Sequence, residues 1–258
     1  MVFTEIDDDL GGSMKQGIKV SGAAFAAALG GLITIAPAWA DNSPPAQAHN
    51  WGGLYIGGMT GYLWGNSQHC DGGTGPNACT NSFSVRGFTG GGTLGYNWQV
   101  DNFVLGAETD LSGASAKGGT SSNAAYGCGG SGPICRTQLD WYGTVRGRLG
   151  YAGWDDDLPA IAGNRNWLPY VTGGLAYGRI YASVGAPIQT SNNDIRFGWT
   201  FGGGIEYAPA TKWSIRFEYL YTALGKLFYD TAQKCGFKSC TAVGNHYNNV
   251  RIGADYHF

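Results

Sequence analysis

Apolar and polar side chains alternate along much of this chain. In residues 212–221, for example, Trp213, Ile215 and Phe217 share one face, and Arg216 lies on the other. Successive side chains of a β-strand point to opposite faces, whereas a helix would distribute these residues around its circumference. The pattern therefore predicts strands with one apolar face and one polar face.

The same alternation predicts eight strands. They span residues 54–64, 86–99, 103–112, 139–151, 168–181, 195–208, 212–224 and 247–258. Each is long enough to cross a bilayer as a tilted strand, which needs about 9–11 residues.

The connections between these strands alternate between long and short. Four are long, at residues 65–85, 113–138, 182–194 and 225–246, and two are tight turns, at 100–102 and 209–211. The connection at 152–167 is too long for a turn, and it is either an excursion of the chain or a hidden extension of a strand. Long outer loops and short periplasmic turns are typical of a transmembrane barrel with both termini in the periplasm.

The composition agrees with strands that are apolar on one face only. Aromatic residues make up 14% of the chain and charged residues only 13%, about half of the ~25% that is usual. The mean hydropathy of −0.16 is too low for a bundle of membrane helices. A net charge of −2 without an evident basic patch gives no reason to expect nucleic acid as a partner.

Residues 14–40 have the features of a secretory signal peptide. A basic start with Lys15 and Lys19 precedes an apolar run and a small-x-small cleavage site that ends at Ala40. The alternative, a retained membrane anchor, would need a longer apolar run. Residues 1–13 are interpreted as an upstream extension, 41–50 as a periplasmic leader and 51–258 as one barrel domain.

Six cysteines form three pairs of sequence neighbours. The pairs are Cys70 with Cys79, Cys128 with Cys135, and Cys235 with Cys240. Each pair lies in a different long connection, and pairing of neighbours needs the least loop closure. Because a signal peptide delivers the chain to an oxidising compartment, we expect three disulfides. Metal binding is the alternative, although the spacings do not supply the two C-x₂₋₄-C pairs of a typical zinc site.

Charged residues lie on the polar faces of the predicted strands in equal numbers of each sign. The bases are Arg146, Arg148, Arg196, Arg216 and Arg251, and the acids are Glu108, Asp110, Glu206, Glu218 and Asp255. In a barrel these side chains face the lumen, where unpaired charges are costly. We therefore expect a salt-bridged plug and no broad channel, because an eight-stranded barrel is just wide enough for side chains to fill.

Alternation alone fits a second architecture, a soluble β-sandwich with the apolar faces packed between two sheets. The signal peptide, the low charge content and the C-terminus favour the barrel. The last strand ends with Tyr256 and Phe258, which resembles the C-terminal signal read by the outer-membrane assembly machinery.

Several segments resemble the alphaproteobacterial outer-membrane β-barrel family, whose members are also called porin family proteins or OmpA-like small barrels. They are WGGLYIGGMTGYLWG at 51–65, GFTGGGTLGYNWQ at 87–99, VLGAETDLSG at 104–113, WYGTVRGRLGYA at 141–152, YVTGGLAYG at 170–178, WTFGGGIEYAPATKWSIRFEYLYTALG at 199–225 and NNVRIGADYHF at 248–258. The resemblance implies an eight-stranded fold in the outer membrane and brings no catalytic residues. The cysteine-bearing loops depart from the simplest members of the family.

No catalytic, metal-binding or cofactor-binding site emerges from the sequence. Gly90, Gly92 and Gly95 have the spacing of a dinucleotide fingerprint, but the chain continues there as a strand and not as the helix that the motif needs. His69 and His246 lie in predicted loops and are interpreted as solvated side chains. A surface esterase, or a site for metal or haem, is the alternative for these two residues.

The leading interpretation is a non-enzymatic structural protein of the outer membrane, with both termini in the periplasm and long loops outside. Its partners are outer-membrane lipid and, through the last strand, the assembly machinery, whereas the identity of an extracellular partner stays open. Two further interpretations remain: a narrow-pore porin, and a module that binds haem or another surface ligand.

Overall fold

The computed structural model describes residues 49–70, 80–120, 135–153, 166–184, 190–229 and 240–258. The predicted upstream extension (1–13), signal peptide (14–40) and most of the leader lie outside these residues, as do Cys79, Cys128 and Cys235. Most of the long connection predicted at 152–167 also lies outside them. Within the described ranges, no helix is long and apolar enough to cross a membrane.

Antiparallel strands account for nearly all of the described residues. They are β1 (Gly53–Cys70), β2 (Phe83–Val100), β3 (Phe103–Thr120), β4 (Cys135–Tyr151), β5 (Trp167–Val184), β6 (Thr190–Ala210), β7 (Trp213–Leu224), β8 (Leu227–Tyr229) and β9 (Cys240–His257). Strands β1 to β7 pair in chain order, β7 pairs with β9, and β9 pairs with β1, so the sheet closes on itself. The three-residue β8 only adds to β9. The predicted eight-stranded up-and-down barrel is therefore confirmed.

Two tight turns and both ends of the barrel domain lie at one end of the barrel, which we call the turn end. Turns at residues 101–102 and 211–212 connect β2 to β3 and β6 to β7. Asp101 has a φ of 52°, the left-handed conformation that two-residue hairpins favour and that Asp tolerates. The N–H of Phe258 donates to the carbonyl of Leu54 at 3.0 Å, which brings the first and last strands together here. We call the opposite end the loop end.

Several strands extend further toward the loop end than the alternation predicted. Strand β1 has 18 residues and continues to Cys70, whereas the predicted strand stopped at residue 64. At about 3.3 Å per residue, 18 residues span about 60 Å, and at a tilt of about 40° they rise about 45 Å. The apolar band of such barrels is only about 25 Å tall. The wall of this barrel therefore projects past the hydrocarbon at the loop end.

The two faces of the wall differ in chemistry. Outward side chains in the middle of the strands are large, apolar and exposed, such as Leu111 at 56% and Leu175 at 68%. Trp213 and Phe217, which a soluble sandwich would bury, are 52% and 53% exposed. Inward positions carry the charged and hydroxyl side chains. The soluble sandwich is therefore wrong, and the apolar side chains of the alternating pattern form the outer surface of the barrel.

Candidate functional site: a sealed charge network in the lumen

Nine charged side chains of the inward face meet inside the barrel, and we call them the charge network. They are Glu108 and Asp110 on β3, Arg146 and Arg148 on β4, Glu206 on β6, Arg216 and Glu218 on β7, and Arg251 and Asp255 on β9. None of them is more than 4% exposed. Residues two apart share a face of a strand, so each of three strands contributes two neighbouring charges from consecutive inward positions.

Strand register places unlike charges directly across from one another. Glu108 on β3 lies opposite Arg146 on β4, and Glu218 on β7 lies opposite Arg251 on β9. Directly opposite residues have Cβ atoms about 4.5–5.5 Å apart, within reach of an ion pair. The pairing of the sheet thus forms the network without a contribution from the loops.

Arg146 occupies the centre of the network. Its Nη1 donates to Glu218 Oε1 at 3.0 Å, and its Nη2 donates to Asp110 Oδ2 at 2.9 Å and also to Glu108. Asp110 accepts a further bond from the hydroxyl of Thr144 at 2.6 Å. One guanidinium group therefore links carboxylates from two strands that are not neighbours in the sheet.

Two further arginines make forked contacts with carboxylates. Arg216 donates to Asp255 Oδ2 through Nε at 3.0 Å and through Nη2 at 2.6 Å. Arg251 Nε donates to Glu218 Oε2 at 2.7 Å. The planar guanidinium can direct several donors at one carboxylate, which a lysine ammonium cannot do in a fixed geometry. This explains why all the bases of the network are arginines.

Two tyrosines connect the network to the barrel wall. The guanidinium of Arg148 lies 4.1 Å from the ring centre of Tyr170 and donates to Glu206 Oε2 at 2.7 Å. Tyr55 Oη donates to Glu108 Oε2 at 2.6 Å, and Tyr170 Oη donates to Glu218 Oε1 at 2.9 Å. An aromatic face and a phenol donor therefore replace part of the water that these ions lose on burial.

Arg196, which we predicted as a tenth member, lies apart from the network. Its Nη2 pairs with Asp194 Oδ2 at 2.7 Å, and the Arg196 side chain is 23% exposed. Arg196 has the inward parity, but it is ten residues from Glu206 on the same strand, about 33 Å away along the strand. Parity identifies the face of a residue but not its height in the barrel.

Apolar clusters lie within the lumen alongside the charge network. One consists of Leu63, Phe83, Val85, Ala116, Cys135, Leu139, Tyr142, Ala176, Ile180, Ala182, Leu224 and Tyr247, which lie toward the loop end of their strands. The other consists of Trp51, Val104, Ala152, Leu168 and Ala208, which lie at the turn end. Neither cluster was predicted from the sequence, because the inward face of the strands was expected to be polar.

Residues before the first strand help to close the turn end. His49 and Trp51 are buried, and their rings pack at 4.5 Å between centres, while His257 lies 5.4 Å from His49. His257 Nε2 contacts the hydroxyl of Ser214 at 3.0 Å. Burial, followed by the field of His257, lowers the pKa of His49 from 6.5 to about 4, although Glu206 acts in the opposite direction. His49 is therefore neutral at pH 7.

The two histidines that we placed in solvated loops lie on strands instead. His69 lies on β1 with 0% exposure, and its Nε2 is 2.9 Å from Thr137 Oγ1. His246 lies on β9 with the opposite, outward parity, and its ring stacks on Tyr221. They do not converge on one site, so a shared esterase, metal or haem site is wrong for this pair. In the part of the chain that the structure describes, no group of three or more His, Cys, Asp or Glu side chains is placed to hold a metal.

The cysteines that the structure describes lie at the ends of strands. Cys70 is the last residue of β1, Cys135 is the first of β4, and Cys240 is the first of β9. The prediction that all of them lie inside loops is therefore wrong for these three, because the strands are longer than expected. Cys70 and Cys135 are disulfide-bonded.

Aromatic side chains border the apolar outer face at both ends. At the turn end, Phe258 is 69% exposed, and its ring packs edge-on against Tyr256 at 5.2 Å. At the loop end, Tyr62 and Trp64 on β1 are exposed, and the ring of Tyr62 packs against Phe88 at 5.4 Å. Such girdles lie at the two interfaces between membrane and water.

A closed barrel with an apolar outer belt, aromatic girdles and a polar interior defines an integral β-barrel protein of an outer membrane. The chain belongs to the outer membrane protein beta-barrel domain family, whose family model matches residues 24–258. The resemblance found in the sequence is thereby confirmed.

Relatives support the same assignment. The chain is 34% identical to the 31 kDa outer-membrane immunogenic protein of Brucella melitensis, over 95% of this chain and 100% of that protein. It is 31% identical to the 22 kDa outer membrane protein of Rhizobium leguminosarum bv. viciae, over 85% of this chain and 83% of that protein. The outer membrane protein OprG from Pseudomonas aeruginosa superposes with a TM-score of 0.51 at 13% identity, over 83% of this chain and 100% of that chain, and shares the fold.

Proposed function

We propose that this protein is a non-enzymatic, non-conducting component of the outer membrane whose barrel displays long connections on the cell surface for contact with the surroundings. The observation that carries the proposal is the filled lumen. Nine buried charges pair across the barrel, and apolar clusters that include Tyr247 and Trp51 occupy the lumen beside them. Ions crossing such a lumen would have to break buried ion pairs and enter apolar layers, both of which are costly.

The proposed orientation places the turn end in the periplasm and the loop end outside. Short turns face the periplasm in barrels of this kind, and longer connections face outward. A signal peptide at residues 14–40 would deliver the chain to the periplasm, with 41–50 as a leader. Tyr256 and Phe258 would then form the signal for the assembly machinery at the exposed end of β9, where Phe258 projects outward.

We further propose that disulfides brace the outer connections. The expected pairs are Cys70 with Cys79, Cys128 with Cys135 and Cys235 with Cys240, and the bonded state of Cys70 and Cys135 supports this. Each bond would tie one connection to the end of a strand that already projects beyond the hydrocarbon. The name of the Brucella relative, an immunogenic outer-membrane protein, is in keeping with exposed connections.

Conductance of the purified protein in planar bilayers tests the closed lumen. We expect no stable open level, because the charge network and the apolar clusters occupy the lumen at successive heights. Electrophoresis of unheated and boiled protein provides the folding control, and a wide porin inserted under the same conditions provides the positive control. Steady, reproducible current steps from folded protein would overturn the proposal and favour the narrow-pore interpretation.

Protease protection on intact cells tests the orientation. A cleavage site inserted in the connection 121–134 should be cut by added protease, whereas the same site inserted at the turn 101–102 should be cut only after the outer membrane is permeabilised. The reverse pattern would show that the loop end faces the periplasm.

A further inference from the structure

Four cationic side chains project from the outer surface of the barrel toward its loop end. They are Arg86 on β2, Lys117 on β3, Arg136 on β4 and Arg179 on β5, and all four are exposed. They lie on four consecutive strands of the sheet, and we call them the basic patch. The rest of the outer face of these strands is dominated by apolar side chains, such as Leu111 and Leu175.

Strand register brings three of the four cations close together and places the fourth at the edge of the patch. Arg86 lies directly opposite Lys117, and Arg136 pairs with Gly119, two residues further along the strand that carries Lys117. Arg179 pairs with Trp141, five residues from Arg136 along β4, and so lies at the edge of the patch nearer the turn end. The four positions are far apart in the sequence, so only the closed sheet brings them together.

The patch has no internal charge compensation. In the described part of the chain, none of the four cations forms an ion pair or a side-chain hydrogen bond. The neighbouring carboxylate of Asp140 accepts instead from Gln138 Nε2 at 2.7 Å. Like charges directly opposite each other destabilise a sheet, so Arg86 and Lys117 lower stability unless an external anion lies between them.

The height of the patch matches the headgroup region of the membrane. Arg86 is two residues beyond the outward Phe88, and Arg179 is two residues beyond the aromatic Tyr177, in each case toward the loop end. Two residues of a strand correspond to about 6.6 Å. Arg86 and Arg179 therefore lie just outside the aromatic girdle, where lipid phosphates and sugars are found, and Arg136 lies further out on β4.

A groove with suitable polar chemistry runs between two of the cations. It has a volume of about 480 Å³ and is lined by Lys117, Arg136, Gln138, Tyr181 and Ser183, among others. Guanidinium and ammonium groups bind phosphate oxygens, while hydroxyl and amide groups suit the hydroxyls of a sugar. The groove thus offers both cationic groups and hydrogen-bonding groups to a ligand at one place on the outer wall.

We propose that the basic patch binds the phosphorylated sugar headgroup of a glycolipid of the outer leaflet, of the lipid A type. The charges match the phosphates, the groove accepts the sugar, and the acyl chains continue down the apolar wall below the girdle. This inference rests on the proposed orientation, because glycolipid of this class occupies the outer leaflet only. The patch covers only β2 to β5, so the bound lipid lies on one side of the barrel.

Counting bound lipid A by native mass spectrometry tests the proposal. The double variants R86Q/K117Q and R136Q/R179Q each remove two charges from the patch, and K212Q/K226Q removes two exposed charges elsewhere as the matched control. A cation near a phosphate surface contributes about fivefold in affinity, so each patch variant, which lacks two cations, should bind about 30-fold more weakly. The control variant should bind within about twofold of the parent protein, and heat-modifiable migration confirms folding of all three.

Further measurements with other ligands distinguish lipid A from other anions that the patch could bind. Equal loss of binding in the patch and control variants would overturn the proposal, as would equal binding of phosphatidylglycerol. Competition by inorganic pyrophosphate at the concentration of lipid A would point to a free-phosphate site instead. Tight binding of a soluble sulfated polysaccharide through the same four residues would assign the patch to a polysaccharide. Protease protection reports the orientation separately, so a failure of the proposed function is distinguishable from a failure of lipid binding.

Discussion

Replacing Arg146 by methionine tests whether the charge network stabilises the barrel. Methionine is flexible and fills irregular core space without a charge. The change removes the guanidinium that now donates to Glu108, Asp110 and Glu218. The network already holds five carboxylates and four guanidinium groups, so the variant raises the excess of carboxylates from one to two.

The size of the effect follows from the contacts that survive. Removing one partner of a buried ion pair costs about 3–5 kcal/mol. Each of the three carboxylates keeps at least one other arginine, because Arg216 and Arg148 contact Glu108 and Arg251 contacts the other two. We therefore expect the free energy of unfolding to fall by about 3–5 kcal/mol, the cost of one broken pair, and not by that cost for each of the three carboxylates.

Urea unfolding in zwitterionic detergent, followed by tryptophan fluorescence and by the shift of the folded band on gels, measures this loss. The variant Arg179→Met makes the same chemical change on the exposed outer wall and should lie within about 0.5 kcal/mol of the parent. The double variant R146M/D110N removes one surplus carboxylate, so it should recover about 1–2 kcal/mol relative to R146M. Equal unfolding midpoints for R146M and R179M would refute the stabilising role of the network.

Two further predictions concern the lumen. Gly57→Ala should destabilise the barrel by about 1–3 kcal/mol in the same urea assay, because the Cβ of the new alanine would lie 1.9 Å from Asp255 Oδ1. Gly58→Ala is the control and should be neutral or slightly stabilising, because the nearest atom to its Cβ would be 3.9 Å away. His49 has a folded pKa of about 4 against 6.5 when unfolded, so the unfolded chain binds the extra proton between these values. Stability should be complete above pH 6.5 and fall toward pH 4, and His49→Phe should flatten this part of the pH profile of unfolding; an unchanged slope would contradict the burial of His49.

Much of the fold was predictable because one physical rule acts along the whole wall. The outward face must be apolar where it meets lipid, so alternation identified the strands and assigned Phe217 and Arg216 to opposite faces. The requirement for apolar outward residues no longer holds where the wall extends beyond the hydrocarbon of the membrane. Ser67 and Gln68 continue β1, yet they carry no apolar signal, and for this reason the strands were predicted too short at the loop end.

The parts of the site that the sequence did not reveal depend on register. Arg196 has the same parity as Glu206 but a different height, and height depends on how strands are staggered against their neighbours. Inward Leu139 and Ile180 pair in a region where a bulge shifts the register of β4, so an apolar layer forms where parity suggested polar residues. The basic patch likewise consists of residues that become neighbours only across four strands.

The hydrogen bond between the N–H of Phe258 and the carbonyl of Leu54 has a topological consequence. In a closed ring every strand pairs with two neighbours, so the folded wall does not require the chain to begin and end at this particular seam. A short linker across this seam, with new ends opened in one of the long connections, should yield a circularly permuted barrel with the same register. In the natural chain this seam pairs residues from its two ends, such as Tyr55 with His257, so forming it closes a longer loop than any other strand pairing of the described sheet.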